Sequence, residues 1–152
     1  ATTLVGQALG AKDPELAMES GFMATKISAV VMSVMGIVFY VLAKPMVWFF
    51  STDPEVVSLA VMALRIVAIS QPVLAVVMCL AGALRGAGDT RWVMYITAMS
   101  YWGVRLTLSY VLAITLGFGL MGAWISMTIE LFVRGGLSFW RYNSGRWKEI
   151  KV

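Results

Sequence analysis

Three stretches of this chain contain no charged residue, and each is long enough to cross a lipid bilayer. They cover residues 27 to 43, 66 to 84 and 106 to 129. An apolar helix of about 17 to 25 residues spans a hydrocarbon core of roughly 30 Å. Charged residues make up only 13% of the chain, whereas a soluble domain carries roughly a quarter. The sequence therefore predicts an α-helical integral membrane protein that has the lipid bilayer as a partner.

The residues that flank these runs extend them into four predicted membrane spans. We place the spans at about residues 22 to 43, 56 to 81, 92 to 114 and 120 to 141. Residues 1 to 10 read as the end of another apolar helix, and residues 142 to 152 as a basic tail. Because the chain starts at Ala1 rather than at a methionine, we expect a fragment that lacks its beginning. The predicted fold class is all-α, a polytopic transmembrane helix bundle.

The basic residues are distributed unequally between the two sides of the predicted bundle. One set of loops contains only Lys44, close to Asp53 and Glu55. The opposite side holds the other loop cations, which are Lys12, Lys26, Arg85, Arg91, Arg141, Arg146, Lys148 and Lys151. Short loops rich in lysine and arginine stay in the cytoplasm. We therefore predict that both ends of the chain are cytoplasmic.

Three sites in the sequence have the pattern of a helix start. KDPEL at residues 12 to 16 and TDPEV at residues 52 to 56 each offer an aspartate as N-cap and a proline at the first helical position. Asp89 and Thr90 are predicted to cap the third span in the same way. Just before them, Gly86 and Gly88 are expected to adopt backbone conformations that other residues avoid.

Four ionisable residues lie well inside the predicted membrane spans: Arg65, Arg105, Glu130 and Arg134. Such residues cost a few kcal/mol or more near the centre of a bilayer, so each is a candidate for a substrate or ion pathway. With a rise of about 1.5 Å per residue, the first three lie roughly 15 to 20 Å deep and are expected to meet. Glu130 and Arg134 are spaced for an ion pair on one helix face. Two structural alternatives remain, namely that the charges only lock helices together or that Arg134 extends to the membrane surface.

The second span is interrupted near its middle by Ser70, Gln71 and Pro72. Pro72 has no N–H and cannot donate to the carbonyl of Ala68, so a kink is predicted. Transporters line cavities with such broken helices, which makes Gln71 and Pro72 further pathway candidates. The alternative is a tolerated membrane proline whose freed carbonyl finds a neighbouring group.

Several functional classes lack their signals in this sequence. The chain has no histidine and a single cysteine, so the common zinc sites, the disulfide frameworks and the serine triads are not expected. GFGLMG at residues 117 to 122 matches a dinucleotide motif, but it joins two membrane spans and lacks the strand and helix around it. The net charge of +4 comes from loop residues rather than from a nucleic-acid surface. We therefore expect no enzyme activity, no cofactor, no metal and no nucleic-acid partner.

The turn GALRGAGDTRW, at residues 82 to 92, resembles the signature turn of multidrug and toxic compound extrusion (MATE) transporters. The matching positions are Gly82, Arg85, Gly86, Gly88, Asp89 and Thr90. TLVGQALGAKDPELA before it, and WGVRLTLSYVLA, GFGLMGAWISMTIELFVRGGL and the tryptophan of SGRWK after it, follow in that family's order. The resemblance covers almost the whole chain, and the ordered set is more specific than any single piece.

The resemblance implies that the chain is the carboxy-terminal lobe of a pseudo-symmetric, two-lobe transporter whose amino-terminal lobe is missing. It implies an antiporter in the bacterial inner membrane that exports small organic compounds, often cationic, against inward Na⁺ or H⁺ flow by alternating access. Some members carry a coupling carboxylate in the helix that corresponds to residues 56 to 81, where this chain has none. That carboxylate is then expected in the missing lobe, with Glu130 as a local candidate.

Two other functions stay open on the sequence. A flippase for lipid-linked oligosaccharides or polysaccharides belongs to the same superfamily, and mid-membrane arginines suit anionic headgroups. A membrane module with a purely structural role is the second alternative, and the mid-membrane arginines and the broken helix argue against it.

Overall fold

The computed structural model describes residues 1 to 150 and consists of helices joined by short turns. Within these residues it has no β-strand, so the predicted all-α fold is confirmed. The basic tail predicted for residues 142 to 152 includes Lys151, which lies outside the described residues.

The first half of the chain forms four helices. They are α1 (Thr2–Gly10), α2 (Pro14–Val41), α3 (Ala43–Trp48) and α4 (Pro54–Gly86). By length and composition, α2 and α4 are the two helices of the described chain that qualify as candidate membrane spans.

The second half contains a helix of mixed geometry and one long helix. Helix α5 (Thr90–Met99) continues into a π-helical segment (Ser100–Leu106), α6 (Thr107–Tyr110) and a second π-helical segment (Val111–Thr115). Helix α7 (Gly119–Asn143) follows, and a 3₁₀ turn (Arg146–Glu149) comes after it. The region predicted as the third span is therefore helical but repeatedly changes its hydrogen-bond register.

Two of the three predicted N-caps are present. The Asp13 carboxylate accepts a hydrogen bond from the Leu16 amide at 2.9 Å, and Asp53 accepts one from the Glu55 amide at 3.0 Å. The prediction for Asp89 is wrong in its chemistry, because its side chain makes no capping bond although it precedes α5. Its carboxylate accepts a hydrogen bond from Nε of Arg141 instead, at 2.8 Å. A charge-assisted bond to a buried guanidinium replaces the bond to the backbone.

Helix α1 packs directly onto the C-terminal end of α4, where two glycines of α4 allow close approach. A side chain on Gly86 would collide with the backbone of Thr2, and one on Gly82 would lie 2.9 Å from the Thr2 hydroxyl. Gly86 therefore lies inside α4 and serves close packing, so the unusual backbone conformation predicted for it is wrong. Gly88 does adopt the left-handed region, with φ of 81°.

Helix α4 contains Pro72, and its partner α2 contacts it at the same level. The carbonyl of Ala68, which Pro72 cannot bond, lies against Gly36 of α2. A Cβ on Gly36 would be 2.7 Å from that carbonyl oxygen and 3.3 Å from Cβ of Gln71. The freed carbonyl therefore meets a neighbouring helix backbone, and Gly36 leaves room for this contact.

The end of α7 and the residues that follow it pack against the start of α2. The ring of Tyr142 stacks on that of Trp147, with ring centroids 4.8 Å apart, and it meets Phe22 of α2 edge-on. The Tyr142 hydroxyl donates to the carbonyl of Ala17 at 3.0 Å, while the Trp147 indole N–H donates to the Tyr142 carbonyl at 2.7 Å. Both rings are fully buried, so they fasten the tail to α2.

We expect Gly36→Ala to destabilise the bundle by roughly 1 to 3 kcal/mol, because the new methyl group would press on the backbone of α4 at Ala68, beside Pro72. The change is measured as a lower midpoint of thermal unfolding in detergent. Gly136→Ala is the matched control, since nothing lies within 4 Å of a Cβ at Gly136 on α7. Equal stability of the two variants would show that the close contact of α2 and α4 is unimportant.

Trp147→Ala is expected to cost about 3 kcal/mol of unfolding free energy, since a large buried aromatic side chain is removed. Trp48→Ala provides the comparison, because the Trp48 side chain is 67% exposed. The same detergent unfolding assay measures both variants. A loss no larger for Trp147 than for Trp48 would contradict the role assigned to the buried stack.

Candidate functional site

The middle of α7 contains a fully buried carboxylate. Glu130 is 0% exposed, and Nε of Arg134 lies 3.0 Å from its Oε1, in the i, i+4 pair that the spacing predicts. Neither carboxylate oxygen has a hydrogen-bond donor among the described residues. The Arg134 Nε–H likewise lacks an acceptor in hydrogen-bond geometry, so the pair is an electrostatic contact without an aligned hydrogen bond.

Two arginines from neighbouring helices lie over the same aromatic ring. The guanidinium carbon of Arg134 is 5.1 Å from the ring centroid of Tyr101, and that of Arg105 is 5.3 Å from it. Tyr101, Arg105, Glu130 and Arg134 thus form one group, which we call the tyrosine–arginine cluster. The guanidinium groups are attracted to the negative face of the ring.

The charges of the tyrosine–arginine cluster do not balance. Glu130 supplies one negative charge, and the two arginines supply two positive charges. Among residues 1 to 150, Arg105 forms no ion pair, because the ion pairs there are Arg134 with Glu130 and Arg141 with Asp89. The cluster therefore has one positive charge in excess within an otherwise apolar part of the bundle.

The local backbone of the cluster is π-helical. Tyr101 and Arg105 both belong to the segment Ser100–Leu106, which packs against α7. Its first residue, Ser100, is buried, and its hydroxyl has no hydrogen-bond partner in the described chain. π-helical turns are rare and occur often at functional sites, because they redirect side chains relative to a regular α-helix.

An open groove of about 470 Å³ leads along α5 to the cluster. It starts at the turn between α4 and α5, beside Arg85 and Thr90, and ends at Tyr101 and Trp102. Between these ends it is lined by Val93, Met94, Thr97 and Ala98. The groove thus runs from the exposed Arg85 to the aromatic ring that contacts two more arginines.

Arg65 is separate from this cluster. Its guanidinium carbon lies 5.2 Å from the ring centroid of Tyr40 on α2, and it makes no ion pair in the described part of the chain. The expectation that Arg65, Arg105 and Glu130 meet is therefore wrong for Arg65. Helical depth places residues at one level of the membrane, but the direction of each side chain around its helix decides which of them meet.

Gln71 and Pro72 also lie apart from the tyrosine–arginine cluster. Pro72 lines an open recess of about 290 Å³ between α2 and α4, together with Gly36 and Tyr40. Gln71 is buried against α2. A larger open cavity of about 760 Å³ lies between α3, α4 and α7 and is lined by apolar side chains that include Met46, Phe50, Leu64, Trp124 and Met127.

The predicted signature turn has a structural core. Gly82 and Gly86 pack on α1, and Gly88 makes the turn itself. The carboxylate of Asp89 is buried against Arg141, whose guanidinium carbon lies 4.6 Å from the Trp92 ring centroid. This ion pair fixes the start of α5 to the end of α7. The exposed members, Arg85 and Thr90, are the ones that line the groove.

Sequence reasoning did not identify Tyr101 or Gly36 as important. An aromatic residue or a glycine in an apolar run carries no sign of its partner, so only the packing of α7 or α4 reveals them. In the part of the chain that the structure describes, no group of three or more histidine, cysteine, aspartate or glutamate side chains is placed to hold a metal ion.

Comparisons with known proteins agree with this architecture. The family model described as MatE matches residues 1 to 111. The chain is 30% identical over 151 residues to a probable multidrug resistance protein NorM of Thermotoga maritima, covering 99% of this chain and 32% of the relative. It is 35% identical to the probable NorM of Mannheimia succiniciproducens, covering 92% and 31% of the two chains.

A third relative, the multidrug resistance protein NorM of Burkholderia vietnamiensis, is 34% identical over 94% of this chain and 32% of its own length. The chain thus spans about a third of the length of these curated relatives. Together with the long apolar helices, the matches show an integral membrane protein. The chain belongs to the MatE family, that of the multidrug and toxic compound extrusion transporters that its sequence resembles.

Proposed function

We propose that the chain is part of a secondary active antiporter that exports small organic compounds, many of them cationic, across a bacterial inner membrane. Its family and the names of its relatives, which are multidrug resistance proteins, support this function. The open cavity lined by methionine and aromatic side chains is of a kind that adapts to different apolar ligands, because thioethers repack easily. Inward flow of Na⁺ or H⁺ would drive the export.

The observation that carries the proposal is the environment of Glu130. Glu130 is fully buried, meets the charge of Arg134 at 3.0 Å, and accepts no hydrogen bond from the described residues, so lone pairs on both of its oxygens stay open. Binding of a proton or a sodium ion there would weaken the contact with Arg134, and release of the cation would restore it. A group of this kind can couple ion movement to a change of conformation.

Helix α4 offers a place where that conformational change could occur. Its backbone lacks one hydrogen bond at Pro72, and the freed carbonyl of Ala68 lies against Gly36 of α2. The helical hydrogen bond from residue 72 to the carbonyl of Ala68 is absent, so bending at this point does not have to break it. Alternating access would then combine bending of α4 with rocking of this bundle against the rest of the transporter.

One observation favours a flippase for lipid-linked oligosaccharides as the second candidate. Arg105 carries a charge that no described residue neutralises, and an anionic headgroup would supply the missing negative charge. The names of the relatives favour drug export over this alternative. The two functions differ in the compound that moves, so an efflux assay in proteoliposomes that tests each compound in turn separates them.

We expect Glu130→Gln to reduce ion-driven efflux by roughly tenfold or more, because a neutral amide cannot take up and release a cation and a lost charge contact is worth at least 1.4 kcal/mol. Efflux of a fluorescent cationic dye from cells or proteoliposomes with an imposed ion gradient measures this effect. Protein level in the membrane is measured in parallel.

Glu19→Gln is the matched control, because Glu19 lies exposed near the start of α2. This variant should transport the dye at the normal rate. Normal efflux by Glu130→Gln at normal expression would remove Glu130 from the coupling mechanism and leave it with a structural role.

A further inference from the structure

We propose that Arg105, supported by Arg134 through their shared contact with Tyr101, binds an oxyanion group of the transported compound. The chemical class is an organic compound with an aromatic body and one carboxylate, including zwitterions that also carry a cation. This inference rests on the proposed transport function and adds to it a subsite for the carboxylate and the residue that forms it.

The first argument is the charge of the cluster. Its two guanidiniums face one carboxylate, and the carboxylate contacts Arg134 rather than Arg105. Arg105 lies roughly 20 Å along its helix from the cytoplasmic end of α5, which is deep in the bilayer. An arginine at that depth costs a few kcal/mol or more unless an anion or water compensates it. A bound carboxylate would bring the net charge of the cluster to zero.

The second argument is the availability of hydrogen-bond donors. A guanidinium group carries five N–H donors, all at the edge of its plane. Arg105 donates no hydrogen bond to any residue of the described chain, and its contact there is with the ring of Tyr101. Contact with a ring face leaves the edge donors free, so they can bind both oxygens of a carboxylate side by side.

The third argument is access. The groove along α5 connects the exposed Arg85 at the cytoplasmic turn with Tyr101. A cation at the mouth of such a groove attracts anions from solution. Arg105 does not line the groove itself, but its guanidinium carbon lies 5.3 Å from the centroid of the Tyr101 ring at the far end. The groove wall is largely apolar and ends at Trp102, which is 75% exposed. This lining fits the aromatic body of a ligand whose carboxylate reaches Arg105.

The test is a binding measurement on the intact protein that contains this chain, in phosphatidylcholine nanodiscs without an ion gradient. The probes are a rhodamine dye with a free benzoate group and the methyl ester of the same dye. They share one xanthene cation and differ only in the carboxylate. Fluorescence anisotropy gives the dissociation constant of each probe for the wild type and for the variants.

We expect Arg105→Gln to weaken binding of the acid by about tenfold or more, and binding of the ester by less than about twofold. Arg105→Lys keeps the charge but loses the planar donor pair, so it should recover part of the affinity for the acid. Arg65→Gln is the matched control, because Arg65 lies on Tyr40 outside the cluster and should leave the ratio of the two affinities unchanged.

Three outcomes would overturn the proposal. They are an equal loss of acid and ester binding in Arg105→Gln, no loss of either, and a wild type that does not bind the acid. Glu130 stays paired with Arg134 in the Arg105→Gln variant, so the substitution leaves no carboxylate without its partner.

Lipid phosphodiesters present the same oxyanion chemistry, and a second arm identifies the source. If phosphatidylglycerol in the nanodiscs weakens acid binding in the wild type but not in Arg105→Gln, the site exists and accepts lipid headgroups. If it has no effect while the acid still depends on Arg105, the site takes dissolved substrates. Because no gradient is used, these results are independent of ion-driven efflux, whose absence would contradict the antiport function alone.

Discussion

Close approach of helix backbones at glycine is the constraint on which this bundle depends. Helix α4 packs against α1, α2, α3, α5 and α7. Gly86 of α4 touches the backbone of Thr2, Gly36 of α2 touches the carbonyl of Ala68, and Gly135 of α7 packs on α4. Within lipid, the hydrocarbon tails are as apolar as the side chains, so tight van der Waals contact rather than burial holds helices together. The glycines therefore set how closely α1, α2 and α7 approach α4.

Two groups of charged residues contact α7, and they differ in their charge balance. At the end of α7, Asp89 neutralises Arg141, which also lies over the ring of Trp92. In the middle of α7, Glu130 neutralises Arg134, which lies over Tyr101, but that ring holds a further arginine as well. The first group is complete and joins α5 to α7. The second is left, among the described residues, with an excess charge and with carboxylate oxygens that accept no hydrogen bond.

The parts of the fold that local sequence determines were predictable. Asp13 and Asp53 cap their helices because the partner amide lies within three residues of each. Asp89 has the same local pattern, but a guanidinium 52 residues away competes successfully for its carboxylate. The apolar runs predicted helices because their length and their lack of charge can be read directly from the sequence. Which ring each arginine meets, Tyr40 for Arg65 or Tyr101 for Arg105, depends on helix rotation and packing, which a single sequence does not contain.

Contact with an aromatic ring explains how Arg105 can remain in the bundle without a carboxylate of its own. A cation over a ring gains about 0.5 to 2 kcal/mol, which is less than the cost of an arginine deep in a bilayer. The ring therefore orients the guanidinium and covers one face of it but does not neutralise it. A permanent carboxylate partner would satisfy the same charge completely and occupy the edge donors. A ring leaves those donors open, so an arginine held in this way keeps its capacity to bind an anion that comes and goes.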